Sequence, residues 1–328
     1  MRSFLYYFVR LKNILINEVE DKNMKNKIPV IILALLVLFS VAFSKEKVKK
    51  EPKLKNKIAY TLRGNLFISK PDGSEVKQLT FEGGVSEPCW SPDGKTIIFV
   101  FNRKLWKYDI KTGKYEKFID VPGYCLSPSF STDGEKVIFT HESNKWDHFT
   151  SANYPEVCVV NADSSDFKVL LKPDNSWNSY PRFFPDELQN IVFNQLVSGN
   201  VNYYLATYNV SSGKIEYLNS ESGWLDSNFS PDGNFLTAGW YSYEKGGELR
   251  IINLRTLGVK KVIPLTQGYQ FCRPSFSMDG SRIVFEKAIY SHSRKTFVPY
   301  GIYIVNTDGS GLTRLVLDGA DPDWLWNE

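Results

Sequence analysis

The sequence predicts an all-β fold, a six-bladed β-propeller with four-stranded antiparallel blades, on three observations. A turn signature followed by an apolar run recurs: "PCWSPDGKTIIF" from Pro88, "SPSFSTDGEKVIF" from Ser127, "YPRFFPDELQNIVF" from Tyr180, "DSNFSPDGNFLTA" from Asp226 and "RPSFSMDGSRIVF" from Arg273, with "DPDWLWNE" from Asp321 as a sixth start. The central aromatics Trp90, Phe130, Phe183, Phe229, Phe276 and Trp324 stand 40 to 53 residues apart, a period that belongs to blade or solenoid arrays. Nothing in the body sustains a helical period.

The chain opens with a segment to be set aside. "MKNKIPVIILALLVLFSVAFSK" from Met24 has a basic start, an apolar core over Ile28–Phe43, and small residues at Ala42 and Ser44, the pattern of a secretory signal. The core is shorter than the roughly 20 residues a membrane span needs. Residues 1–44 are therefore read as leader and signal peptide, with an uncleaved N-terminal anchor as the alternative and Met24 as an alternative start to Met1. Residues 45–56 are a Lys-rich linker, and 57–328 form the propeller.

Each full repeat has one grammar. An aromatic-bearing strand leads into the Pro-Asp-Gly turn, where Pro presets φ and Gly accepts the positive φ of a tight reversal. A β-branched strand follows ("KTIIFVF", "EKVIFTH", "QNIVFNQ", "NFLTAGW", "SRIVFEK"), then a third ("KLWKYDI", "EVCVVNA", "YYLATYNV", "ELRIINL", "GIYIVNT"), a polar turn such as "KTGK" or "SSGK", and a short fourth strand. "KIAYTLRGNLFISKPDGSEVKQLTF" supplies second, third and fourth strands without a first, and "DPDWLW" supplies a first without the rest. Pairing the two closes a sixth blade and hides both edges.

These motifs resemble those of TolB-like β-propellers, over nearly all of residues 57 to 328. The resemblance implies the fold; function has to be read from the site. It also implies work at the cell envelope, where the family's namesake acts with the peptidoglycan-associated lipoprotein and carries an α/β domain before its propeller. Here about a dozen residues separate the signal from the first strand, so the true Tol-system role is not expected.

Charge and chemistry narrow the function. Of 40 basic and 36 acidic residues, 13 and 5 precede Ile58, so the body is mildly acidic and lacks the basic stripe of a nucleic-acid binder. A hydrolase mechanism lacks its G-x-S-x-G elbow. The Asp-Gly turns differ in residue order from sialidase-type Asp boxes, and "NADSSD" (Asn161–Asp166) reads as an outer hairpin turn, not a calcium loop. TolB-like propellers are also similar to oligogalacturonate lyases, which hold a metal partly through histidines; His141, His148 and His292 are read as solvated loop side chains, with no metal and no cofactor expected. Cys89, Cys125, Cys158 and Cys272 fit buried thiols as well as disulfides.

Two candidate binding features remain. The residues preceding the inner-strand prolines, Glu87, Ser127, Tyr180, Asp226 (followed by Ser227 in place of Pro), Arg273 and Asp321, should fall at one level around the central channel. There they form either a cation or amine site, or an Arg273-centred ion-pair ring that closes the channel. Insertions between second and third strands ("HESNKWDHFTSANYPE", "LVSGNVN", "YSYEKGGE", "AIYSHSRKTFVPYG") share a face with Tyr124, Trp177, Trp224 and Tyr269, placed in the connections entering inner strands. Aromatic groups on loops over a rigid scaffold suit recognition. The expectation is an exported, periplasmic or extracytoplasmic, non-catalytic scaffold that binds an envelope protein or peptide on this face. A glycan-binding protein or metal-dependent polysaccharide lyase-type enzyme using the channel mouth is the alternative. The membrane is reached only through an uncleaved N-terminal segment.

Overall fold

A computed structural model describes residues 56–143, 154–172, 174–185, 187–200 and 202–326. The leader, the signal and all of the linker except Asn56 lie outside the described residues, as does His148. Among those described there is no helix, and so none long and apolar enough to cross a membrane.

Six four-stranded antiparallel sheets follow one another. The first holds β1 (Ile58–Leu62), β2 (Asn65–Ser69) and β3 (Lys77–Gln78). β4 (Val85–Trp90), β5 (Thr96–Phe101), β6 (Lys104–Asp109) and β7 (Lys114–Lys117) make the second blade, and β8 (Tyr124–Phe130), β9 (Lys136–Glu142), β10 (Glu156–Asn161) and β11 (Lys168–Leu171) the third. The fourth contains β12 (Ser176–Phe184), β13 (Glu187–Val197), β14 (Tyr204–Asn209) and β15 (Lys214–Ser222), and the fifth β16 (Trp224–Phe229), β17 (Phe235–Ser242), β18 (Gly246–Asn253) and β19 (Val259–Thr266). The sixth is β20 (Tyr269–Phe276), β21 (Arg282–Ser291), β22 (Thr296–Asn306) and β23 (Thr313–Leu317). β24 (Gly319–Trp324) then pairs antiparallel with β1, with Ile58 opposite Trp324, and completes the first blade.

The turns repeat one local device. Ser91 Oγ donates to Asp93 Oδ1 (2.8 Å) and accepts from Thr96 N (2.9 Å), while Gly94 at φ 70° donates to Ser91 O. Ser131, Ser230 and Ser277 make the same contacts with Asp133, Asp232 and Asp279. "NADSSD" is a turn of related make, with Ser165 N donating to Asp163 Oδ1.

The apolar runs are continuous because both faces of a blade are covered. Ile97 and Phe99 of β5 pack toward the first blade with Ala59, Leu66 and Trp90, whereas Ile98 and Val100 pack toward the third with Val137 and Phe139. Six such clusters fill the six junctions between successive blades, the last joining Val284, Ile302 and Ile304 to Ile58, Tyr60 and Trp324. Each buried aliphatic or aromatic side chain contributes about 1.5–3 kcal/mol, so this closing junction matters as much as any other.

The four cysteines are free thiols. All lie in strands: Cys125 and Cys272 sit inside β8 and β20, which begin earlier than the repeat pattern suggested. His141 departs from expectation. β9 runs on to Glu142, so the side chain is buried at 6% exposure instead of lying in a solvated loop.

Candidate functional site at the channel and its rim

In β16 the register shifts between Trp224 and Ser227, and the other five inner strands bulge one residue later, at one equivalent place. Four of these five shifts lie between Ser86 and Cys89, Leu126 and Ser129, Ser179 and Arg182, and Cys272 and Ser275. Glu87, Ser127, Tyr180, Arg273 and Asp321, each followed by Pro, have φ of 51° to 53°. A non-glycine residue in this region is uncommon, and a bulge leaves its N–H out of the ladder.

Carboxylates from the neighbouring blade take up four of those freed donors. Asp321 Oδ2 accepts from Glu87 N (3.1 Å), Glu87 Oε2 from Ser127 N, Asp226 Oδ2 from Arg273 N (2.9 Å), and Glu286 Oε2 from Asp321 N (3.0 Å). An acid on one blade thus caps the backbone of the next, always in the same direction around the ring.

Arg273 reaches across the level these residues define. Its Nη2 lies 2.6 Å from Glu87 Oε1 and 3.4 Å from Tyr180 OH, and its Nε is 2.9 Å from Asp226 Oδ2 and 3.6 Å from Asp321 Oδ1. The guanidinium carbon is 4.6 Å from the Tyr180 ring centroid, within cation–π range. The four charged side chains are 8% to 17% exposed. Burial, followed by the charge of Asp321, pushes the Glu286 carboxyl up to about 8; burial also raises Asp321, against the pull of Arg273. The Arg273 charge pulls the Tyr180 hydroxyl down, but burial and the Asp226 and Glu87 carboxylates outweigh it and leave the group well above its ordinary range.

Arg273 thus joins the carboxylates of three other blades in one ion-pair cluster. Glu87, Tyr180, Asp226, Arg273 and Asp321 stand together around the axis, with one guanidinium among three carboxylates. A void of about 20 Å³ beneath them has room for about one water. A second level follows two residues along each strand. Asp323 accepts from Trp90 N (2.8 Å) and Ser275 Oγ (3.2 Å), Asn228 Nδ2 donates to Ser275 Oγ (3.3 Å), and Arg182 Nε donates to Ser227 O (3.0 Å). It opens on the Pro-Asp-Gly side into a cavity of about 230 Å³ lined by Ser129, Thr132, Arg182, Met278 and Trp326.

The expected aromatics divide. Tyr124, Trp177 and Tyr269 begin inner strands and are half-buried. Arg103 lies over the Tyr124 ring at 4.6 Å, and Lys287 Nζ over Tyr269 at 3.8 Å. Trp224 is not a surface residue. It has 0% exposure, its Nε1 donates to Asn219 Oδ1 and Glu221 O at 3.0 Å, and Arg250 stacks between it and Trp240. As the first residue of β16 it turns into the junction with the fourth blade, beside Val192 and Leu205.

Sequence reading missed a ladder of rings on the same face. Tyr243 meets Tyr241 (5.4 Å), Tyr241 meets Phe297 (5.1 Å), Phe297 meets Tyr290 (5.4 Å), and Tyr290 meets His292 (5.2 Å), all edge to face. It bridges the β17–β18 and β21–β22 hairpins, with Tyr243 at 77% and Tyr290 at 36% exposure. The signal was present in the insertions "YSYEKGGE" and "AIYSHSRKTFVPYG".

The model of the TolB beta propeller domain matches residues 57–326. No curated protein matches by sequence. Among solved structures, the chain is similar to TolB from Acinetobacter baumannii, at 21% identity and a TM-score of 0.65 over 88% of this chain and 71% of that one. An oligogalacturonate lyase in complex with manganese is similar at 16% identity and a TM-score of 0.54, covering 77% and 70%. A chain of the nidogen/laminin complex is similar at 9% and 0.59, covering 82% and 97%.

Proposed function

The chain belongs to the TolB β-propeller domain family, and on that premise we propose that it is an exported, non-catalytic module that docks a protein partner at the cell envelope through its insertion-rich face. The observation that carries this reading is the exposed ladder from Tyr243 to His292, presented by two hairpins on a closed ring. Aromatic side chains with polar edges are the usual anchors of protein interfaces. Tyr124, Trp177 and Tyr269 extend the same face toward the channel mouth.

Charge selects the kind of partner. Lys245, Arg294 and Lys295 are exposed at the hairpin tips beside the ladder, with Glu244 as the acid among them. On a body that is mildly acidic, this local basic rim favours a segment that offers an apolar side chain flanked by carboxylates. Export rests on the signal-like segment from Met24.

A lyase-type use of the mouth has less support. His141 and His292 belong to different blades, and their contacts are separate: His141 meets Glu156 and the Pro122 carbonyl, His292 meets Tyr290. The axial carboxylates are already engaged by Arg273 and by backbone donors.

Capture from envelope extract tests the proposal. The purified protein should retain a partner that a Tyr243→Ser, Tyr290→Ser variant loses, because ring anchors of this type contribute about 2 kcal/mol or more each. A Thr132→Lys, Met278→Lys variant on the opposite face should retain it. Equal recovery by the Tyr243, Tyr290 variant contradicts the placement, and recovery of only uronide polymer contradicts the partner class.

A further inference from the structure

We infer that His141, Glu156 and Cys158 form a binding site for a thiophilic divalent cation of the Zn²⁺ class on the third blade, away from the channel. Strand register assembles it. Glu156 lies directly across from His141, and Cys158 across from Phe139; since His141 and Phe139 are two apart on β9, all four share one face of the sheet. Donor atoms of the three candidate ligands lie within 4.8 Å of one another.

Protonation geometry supplies the second argument. His141 Nε2 is 2.8 Å from the Pro122 carbonyl oxygen. A carbonyl only accepts, so Nε2 carries the proton and the ring is fixed in orientation. In the neutral ring this leaves the Nδ1 lone pair facing Glu156 Oε2 at 3.2 Å. Two acceptors at that distance need a cation or a second proton between them, and the Cys158 sulfur stands beside the gap. A histidine that donates its far N–H to a backbone carbonyl while presenting the other nitrogen is arranged as metal-ligating histidines are.

Donor chemistry and burial select the ion. One imidazole nitrogen, one carboxylate oxygen and one sulfur suit Zn²⁺ or Co²⁺, whereas Ca²⁺ and Mg²⁺ prefer oxygen alone. His141 is 6% and Cys158 0% exposed, and Phe167 packs edge-on against the imidazole at 6.0 Å. Glu156, whose side chain is 19% exposed, provides the access. Three protein ligands leave a fourth position to solvent.

Co²⁺ added to the reduced, tag-free full chain tests this. One equivalent should bind, with a thiolate-to-cobalt charge-transfer band in the near ultraviolet and visible bands of four-coordinate intensity, all removed by Zn²⁺. Cys158→Ser should lose the charge-transfer band, His141→Gln should weaken binding by about tenfold or more, and His292→Gln should change neither. A folded wild-type chain without the band overturns the site even if the variants do not fold. So does a band unchanged in Cys158→Ser or lost in His292→Gln.

Discussion

Arg273 Nη2 lies 2.6 Å from Glu87 Oε1, a contact across the ring between side chains 186 positions apart in sequence. With Asp226 and Asp321 on its Nε, this guanidinium closes the axis. Removing one partner from a buried ion cluster costs about 3–5 kcal/mol, since the others stay buried without a counter-charge. Arg273→Met should lose that much at neutral pH in urea unfolding, and less as acid protonates the carboxylates. A loss below about 1 kcal/mol would mean the ring is not a stabilising closure.

Glu286 makes stability depend on pH. Its carboxyl titrates at about 8 in the folded chain against an ordinary 4.5, because burial and then Asp321 oppose its charge. Between those values the folded state holds the extra proton, so stability falls as pH rises from about 4.5 to about 8. Glu286→Gln should remove that slope, gaining on the parent in melting temperature from pH 5 to pH 8. Parallel curves would show that Glu286 does not titrate in this window.

Asp279 acts with the opposite sign. Ser277 Oγ, Ser281 N and Ser281 Oγ donate to its Oδ1 at 2.6, 3.0 and 2.7 Å and hold the carboxyl down to about 2. The stabilisation is complete above the ordinary 3.8 and is lost as pH falls through about 2. Asp279→Asn should melt below the parent at pH 6, with the gap closing by pH 2.

Gly239 is a packing constraint. A Cβ there would stand 1.9 Å from the Phe271 carbonyl oxygen of the next blade. Gly239→Ala should therefore force the fifth and sixth blades apart, at about 1–3 kcal/mol or more. Unchanged unfolding would show that this junction yields freely.

The blades were legible because each repeat carries its own turn chemistry, and the circular closure because "DPDWLW" lacked only the strands that "KIAYTL" begins. The axial level was legible too, since repeat symmetry places Glu87, Asp226, Arg273 and Asp321 alike. Hidden from the sequence was the bulge that frees the backbone N–H groups and gives the acids a second task. Trp224 was misplaced because strands begin earlier than the turn pattern shows, which turns a supposed connection residue into a blade junction. His141 was misplaced for the reciprocal reason: β9 outlasts its apolar run. The ring ladder depends on two hairpins meeting across blades, a contact that no repeat alignment contains.

Site-specific photo-cross-linking in intact cells distinguishes docking on the insertion-rich face from docking on the opposite one. A photoreactive phenylalanine analogue at Tyr243 and one at Met278 sample opposite faces of the same ring. A discrete protein adduct is expected from Tyr243 and none from Met278. An adduct from Met278 alone would contradict docking on the insertion-rich face and move the docking site to the cavity beside Arg182 and Trp326.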